Sequence, residues 1–211
     1  MKGLLLKDFY MLIQSSKYYL FIICIFAVCS SFSGNSAFLL FCLFFIGSVI
    51  SFNLISFDEK SRWSSYCGAF PYTRSELVSV KYIMTIFCIA TAIVINLLLH
   101  GIGILFTGNG DWSNYLGLLF CLFPVGVVAP SILLPATFKF GVEKGRLVYY
   151  IIFVVVGGCL GGLTALNAKV DYALTTFTFS TKEIFISLGI GIVIFAVSWL
   201  ASIRIYKNKE L

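Results

Sequence analysis

Six long apolar runs, each near the length that an α-helix needs to cross a lipid bilayer, limit what this chain can fold into. Crossing the hydrocarbon core takes about 20 apolar residues, and the runs cover approximately residues 18–32, 38–55, 83–106, 115–137, 147–166 and 184–205. Only 11% of the residues are charged, whereas about 25% are charged in a soluble domain. We therefore predict an all-α membrane protein with six transmembrane helices, forming a single domain over residues 1–211.

Lysine and arginine are unevenly divided between the two sides that these spans would define. They cluster in the N-terminal segment, in the loops after the second and fourth spans, and in the C-terminal tail, whereas only Lys169 and Lys182 fall on the other side. Because cytoplasmic loops are enriched in basic residues, the pattern predicts that both termini and both basic loops are cytoplasmic. An even number of spans requires the same arrangement of the termini.

The first 17 residues mix apolar and charged side chains at short intervals. Leucine, phenylalanine, methionine and isoleucine alternate with Lys2, Lys7 and Asp8. This pattern is typical of an amphipathic helix in the headgroup layer, and it predicts that the basic edge faces anionic lipid. The alternative is that these residues extend the first span.

A polar stretch between the second and third runs carries signals for a helix start. Thr73 and Glu76 have the spacing of a capping box, which predicts that a new helix begins there and continues into the third span. The preceding residues contain Trp63, Tyr66 and Phe70 at positions i, i+3 and i+7, which would lie on one side of a short helix. Such aromatic residues either dock on a partner or lie among lipid headgroups.

The second basic loop follows a span that contains three prolines. Pro124, Pro130 and Pro135 are expected to break or kink the fourth helix. The loop itself is short, and we interpret Gly141 and Gly145 as hinges.

Several functional classes find no support in the sequence. A phosphate-binding G-x-x-x-x-G-K-[ST] loop is missing, and the chain has no Gly-Lys dipeptide, so no nucleotide site is predicted. The only histidine is His100, and the cysteines have no metal-ligand spacing, which argues against an enzyme or a metal site. We also predict no bound cofactor and no nucleic-acid partner. The spans lack the ionisable residues that ion-coupled transporters keep at mid-membrane.

Three segments carry a resemblance to a known family: "MKGLLLKDFYML", "FDEKSRWSSYCGAFPYTRSELVSVKYI" and "LPATFKFGVEKGR". They resemble small bacterial type-2 ATP-binding-cassette (ABC) exporter permeases and are similar to the permeases of phenol-soluble modulin and other peptide exporters. The resemblance implies a multi-pass protein of the bacterial plasma membrane with an N-terminal interfacial helix. It also implies a dimer with an identical or homologous permease and two separate ATPase subunits, which would bind the ATP and magnesium.

The resemblance further implies that two cytoplasmic coupling helices dock on the ATPase, at about residues 58–70 and 139–146. The residues expected to make these contacts are Asp58, Glu59, Arg62, Trp63, Tyr66, Phe70, Lys139, Glu143, Lys144 and Arg146.

The apolar character of the spans predicts an apolar or amphipathic cargo such as a peptide. Four residues of the second span, Phe38, Phe41, Phe44 and Phe45, are candidates for lining its path. The alternative function is a non-transporting immunity or sensor protein that binds a toxin or an antimicrobial peptide in the membrane.

Overall fold

Helices make up nearly all of the structure that is described for this chain. The computed structural model describes residues 3–14, 17, 21, 23, 49–63, 72–107, 112–167 and 181–208. The helices are α1 (3–14), α2 (49–60), α3 (Arg74–Thr107), α4 (Trp112–Phe140), α5 (Val142–Asn167) and α6 (Thr181–Lys207). The prediction of an all-α fold is confirmed for these residues. Most of the first predicted span and most of the second lie outside them.

Two of the described helices are long and apolar enough to cross a membrane. They are Arg74–Ile102 and Ile184–Lys207, with mean hydropathies of 2.4 and 2.5. Their exposed side chains are large and apolar, as Leu98 and Leu105 of α3 and Phe185 and Leu200 of α6 illustrate. The count of six spans stays a prediction.

The predicted capping box at the start of α3 is confirmed. The Thr73 amide donates to the Glu76 carboxylate at 2.9 Å, and the Glu76 amide donates to the Thr73 hydroxyl at 3.3 Å. These reciprocal bonds satisfy two backbone amides that the first helical turn leaves without partners. As a result α3 begins at Arg74 and is 34 residues long, nine residues earlier than the apolar run alone indicated.

The three prolines do not break the fourth helix. One continuous helix, α4, contains all of them, so of the two predicted outcomes only kinking is compatible with the structure. Pro135 has no amide proton to donate to the carbonyl of Ser131. The Ser198 hydroxyl of α6 donates to that carbonyl instead, at 2.6 Å. Substitute donors of this kind allow proline inside membrane helices.

Helix α4 packs against α3, α5 and α6, most extensively against α6, and α3 also packs against α6. The buried ring of Tyr82 stacks on Trp199, and its hydroxyl lies 2.7 Å from the hydroxyls of both Ser198 and Ser202. A core cluster joins α2, α3, α4 and the first residue of α5: Phe52, Ile55, Val78, Tyr82, Leu133, Leu134 and Val142. This core supports one end of the bundle, where the candidate site lies.

Candidate functional site

Four charged residues from three helices form an ion-pair network at this end of the bundle. Asp58, near the end of α2, lies 2.6 Å from the ammonium groups of both Lys7 in α1 and Lys81 in α3. Lys81 also contacts Asp8 of α1 at 2.7 Å. We call Lys7, Asp8, Asp58 and Lys81 the charge network. It joins the N-terminal helix to the two helices that flank the first basic loop.

The charge network is largely removed from solvent. The exposed fraction of the side chain is 1% for Asp8, 9% for Lys81, 16% for Asp58 and 26% for Lys7. Two ammonium groups balance two carboxylates, so the network is formally neutral. Burial of charge is tolerated when the charges are paired and hydrogen-bonded. The Lys7 ammonium also lies 4.2 Å from the centre of the Trp63 ring, a cation–π contact that fixes Trp63 beside the network.

Glu59, the neighbour of Asp58, connects the first basic loop to the second. Its carboxylate accepts a hydrogen bond of 2.8 Å from the amide of Val142, the first residue of α5. A carboxylate at a helix N-terminus satisfies a free amide and interacts favourably with the helix dipole. Glu59 therefore caps a helix that begins 83 residues later in the chain.

The turn between α4 and α5 depends on glycine at one position and on close packing at another. Gly141 has φ of +84°, a left-handed conformation that other residues rarely adopt. Gly145 lies inside α5, where an added Cβ would be 2.5 Å from the Thr137 side chain and 3.3 Å from the Phe52 ring. The conformation of Gly141 is thus compatible with a hinge or with a fixed turn. Gly145 instead allows close packing inside a helix, so the hinge interpretation is wrong for this residue.

A cavity of about 270 Å³ lies against the charge network and Glu59. Its remaining walls are mainly apolar and come from α1, α2, α3, α4 and α6: Leu4, Ile55, Leu77, Val80, Phe138 and Tyr206. The end of α6 is attached to this region by Arg74, whose guanidinium donates to the carbonyl of Lys207 at 3.0 Å. Both basic loops and the C-terminal end of α6 therefore share one face of the molecule.

The structure separates the predicted docking residues into three groups. Asp58 and Glu59 make intramolecular contacts, and Trp63 is partly buried beside Lys7. Six of the predicted docking residues are exposed: Glu59, whose carboxylate also caps α5, and Arg62, Lys139, Glu143, Lys144 and Arg146. Tyr66 and Phe70 lie outside the described residues, as do the path candidates Phe38, Phe41, Phe44 and Phe45.

The first predicted coupling helix differs in its boundaries. Residues 58–60 end α2 and do not begin a separate helix. A turn follows at residues 61 and 62, and Arg62 has φ of +51°. Asp58 and Glu59 are therefore held by a helix that continues from the second span.

The basic edge predicted for α1 is not found at Lys7. Lys7 was predicted to face anionic lipid, but it is paired with Asp58 inside the protein. The exposed side of α1 is apolar, with Leu6, Tyr10 and Ile13 more than half exposed. The interfacial position of α1 stays a prediction, whereas the basic edge toward lipid is wrong for Lys7.

Sequence reasoning did not identify the charge network. One signal was present: Lys81 is flanked by Val80 and Tyr82 at the start of a long apolar helix, where an unpaired lysine would be costly. His100 takes no part in this site; its ring stacks on Tyr115 with centroids 3.5 Å apart, in the other half of α3.

Comparison with known proteins gave one family. The model of the family described as "ABC-2 family transporter protein" matches residues 3–207. No match was found among curated proteins or among solved structures. The matched range includes every residue of the charge network and of both basic loops.

Proposed function

Because the chain belongs to the ABC-2 transporter family, a family of transmembrane ABC transporter subunits, we propose that it exports an apolar or amphipathic cargo such as a peptide. Permeases of this family work with a partner ATPase. In the proposed assembly two copies of the chain, or this chain and a homologous permease, bind two ATPase subunits that hold ATP and magnesium. The assembly lies in the bacterial plasma membrane with the basic loops in the cytoplasm.

The shared position of the two basic loops is the observation that carries this proposal. The contacts of Glu59 with Val142 and of Arg74 with Lys207 bring the ends of four helices, α2, α3, α5 and α6, to one face. That face presents the exposed charges of the second loop, Lys139, Glu143, Lys144 and Arg146. A single peripheral subunit can contact both loops there. The same arrangement is what the positive-inside rule requires if this face is cytoplasmic.

The proposed cargo class depends on the spans rather than on the site. The exposed large side chains of α3, α5 and α6 are apolar, as Ile86, Val154 and Ile190 illustrate. A path built from such helices suits apolar or amphipathic molecules. The four phenylalanines of the second span remain candidates for that path.

Co-purification tests the docking surface. The tagged permease is co-expressed with each candidate ABC ATPase of its genome, and the double variant Arg62→Glu, Arg146→Glu is compared with the wild type. Both arginines are exposed, so we expect the variant to fold normally and to retain about ten-fold less ATPase, because charge reversal replaces attraction by repulsion. Lys182→Glu is the matched control, since Lys182 is exposed at the start of α6, far from the loops.

Three outcomes decide the proposal. Loss of ATPase from the double variant alone supports docking at this face. Equal retention by wild type and double variant contradicts the docking surface. If the permease retains none of the ATPases but binds a toxin or an antimicrobial peptide, the exporter proposal fails in favour of an immunity or sensor function.

A further inference from the structure

The two basic loops are connected more closely than two separate docking segments need to be. Glu59 of the first loop accepts the hydrogen bond from Val142 in the second. Val142 is 4% exposed and packs in the same core cluster as Phe52 and Ile55 of α2. Gly145, one turn later, is in close contact with the Phe52 ring. The first turn of α5 is therefore seated directly on the end of α2.

The neighbouring carboxylate connects the same loop in another direction. Asp58 pairs with Lys7 of α1 and with Lys81 of α3, whereas Glu59 caps α5. Two consecutive residues at the end of α2 thus hold three other helices. Hydrogen bonds with a charged partner are shorter and about twice as strong as neutral ones, so these contacts resist separation of the helices.

We propose that Asp58 and Glu59 are positioning residues that make the two basic loops and α1 a single mechanical unit. This inference rests on the proposed function, in which the ATPase moves these loops. The ATPase then contacts the exposed charges, mainly those of the second loop. A displacement of that loop is transmitted through Glu59 to α2, and through Asp58 to α1 and α3.

The inference can be tested first on the permease alone, in lipid nanodiscs. Spin labels attached through p-acetylphenylalanine at Lys60 and Tyr150, both exposed, report the distance between the end of α2 and α5 without involving the native cysteines. We expect a narrow distance distribution in the wild type. Glu59→Ala removes the cap and should widen the distribution about two-fold, because the helix end is released to local fluctuation.

Two further variants separate capping from a general effect of charge. Glu59→Gln keeps a carbonyl oxygen that can accept the bond from Val142, and its distribution should remain narrow. Glu143→Ala removes an equal charge from the exposed first turn of α5 and should also leave it narrow. The inference is overturned if the distance distribution of Glu59→Ala is as narrow as that of the wild type. It is also overturned if Glu143→Ala widens the distribution as much as Glu59→Ala does.

A second arm adds the co-purified ATPase, trapped with ADP or with a non-hydrolysable ATP analogue. If the loops move as one unit, the mean distance between Lys60 and Tyr150 is the same in the two nucleotide states. A nucleotide-dependent change in that distance would show that the loops move separately and would overturn the inference. Should no ATPase bind, the proposed function fails, while the measurements on the permease alone still decide whether Glu59 joins the loops.

Discussion

Removal of the Lys81 ammonium should destabilise the protein more than removal of any exposed charge. In Lys81→Met the apolar stem keeps nearly its full length, but Asp8 and Asp58 lose the cation that lies between them. Asp8 is 1% exposed, so its carboxylate cannot exchange this partner for water. Breaking a buried ion pair by removing one member costs about 3–5 kcal/mol.

That cost can be measured as a shift in the apparent melting temperature. For a chain of this size, about 1 kcal/mol corresponds to about 2–4 °C, so Lys81→Met should melt about 6–20 °C below the wild type. The assay is thermal unfolding in one detergent, followed by tryptophan fluorescence. Lys60→Met is the matched control, because Lys60 is exposed at the end of α2, and it should shift the melting temperature by less than about 2 °C.

A double variant distinguishes charge pairing from the loss of packing. Asp8→Asn together with Lys81→Met leaves Lys7 and Asp58 as a neutral pair at 2.6 Å. The double variant should therefore be more stable than the sum of the two single effects predicts, by about 1–3 kcal/mol. The assigned role of the charge network would be refuted if the stability changes of the two single variants add up to that of the double variant. It would also be refuted if Lys81→Met had the same melting temperature as the wild type.

Two smaller effects follow from the helix ends. Thr73→Ala should lower the free energy of unfolding by about 1 kcal/mol, because the Glu76 amide loses its acceptor. Thr73→Ser keeps a hydroxyl acceptor and should retain most of the wild-type stability. The same thermal assay compares the two variants, and equal melting temperatures would contradict the capping box. Gly141→Ala should cost about 1–2 kcal/mol because alanine is strained at φ of +84°. The exposed Lys144→Ala, in the same loop, is its control, and a Gly141→Ala protein as stable as that control would show that the turn is not constrained.

The features of the fold that could be predicted from sequence arise from residues that are close together along the chain. Thr73 and Glu76 are three residues apart, so their pattern is visible without tertiary structure, and the predicted cap is confirmed. The fourth, fifth and sixth runs correspond to α4, α5 and α6, each of which extends a few residues beyond the apolar core of its run. These added end residues include polar and charged ones, such as Lys139, Glu143 and Lys182, which hydropathy does not assign to a span.

The candidate site could not be predicted because its contacts join residues far apart in sequence. Lys81 and Asp8 are separated by 73 residues, and Val142 and Glu59 by 83. An acidic residue in a polar loop has the same sequence pattern whether it binds a partner protein or caps a distant helix. The cap by Glu59 becomes visible only in the packing of α5 on the end of α2. For Pro135, the substitute donor Ser198 likewise comes from another helix.

The pairing of Lys7 with Asp58 changes how α1 would interact with lipid. An amphipathic helix held by anionic headgroups presents its basic side to them, whereas Lys7 of α1 is directed into the charge network. The opposite side carries apolar side chains, and Phe9 meets the exposed Phe87 of α3 edge-on, with ring centroids 5.9 Å apart. Two independent forces therefore act on one short helix. Ion pairs hold the inner side of α1 to the loops, and apolar burial would hold its outer side in lipid. A displacement of the loops would therefore also move α1 relative to the surrounding membrane.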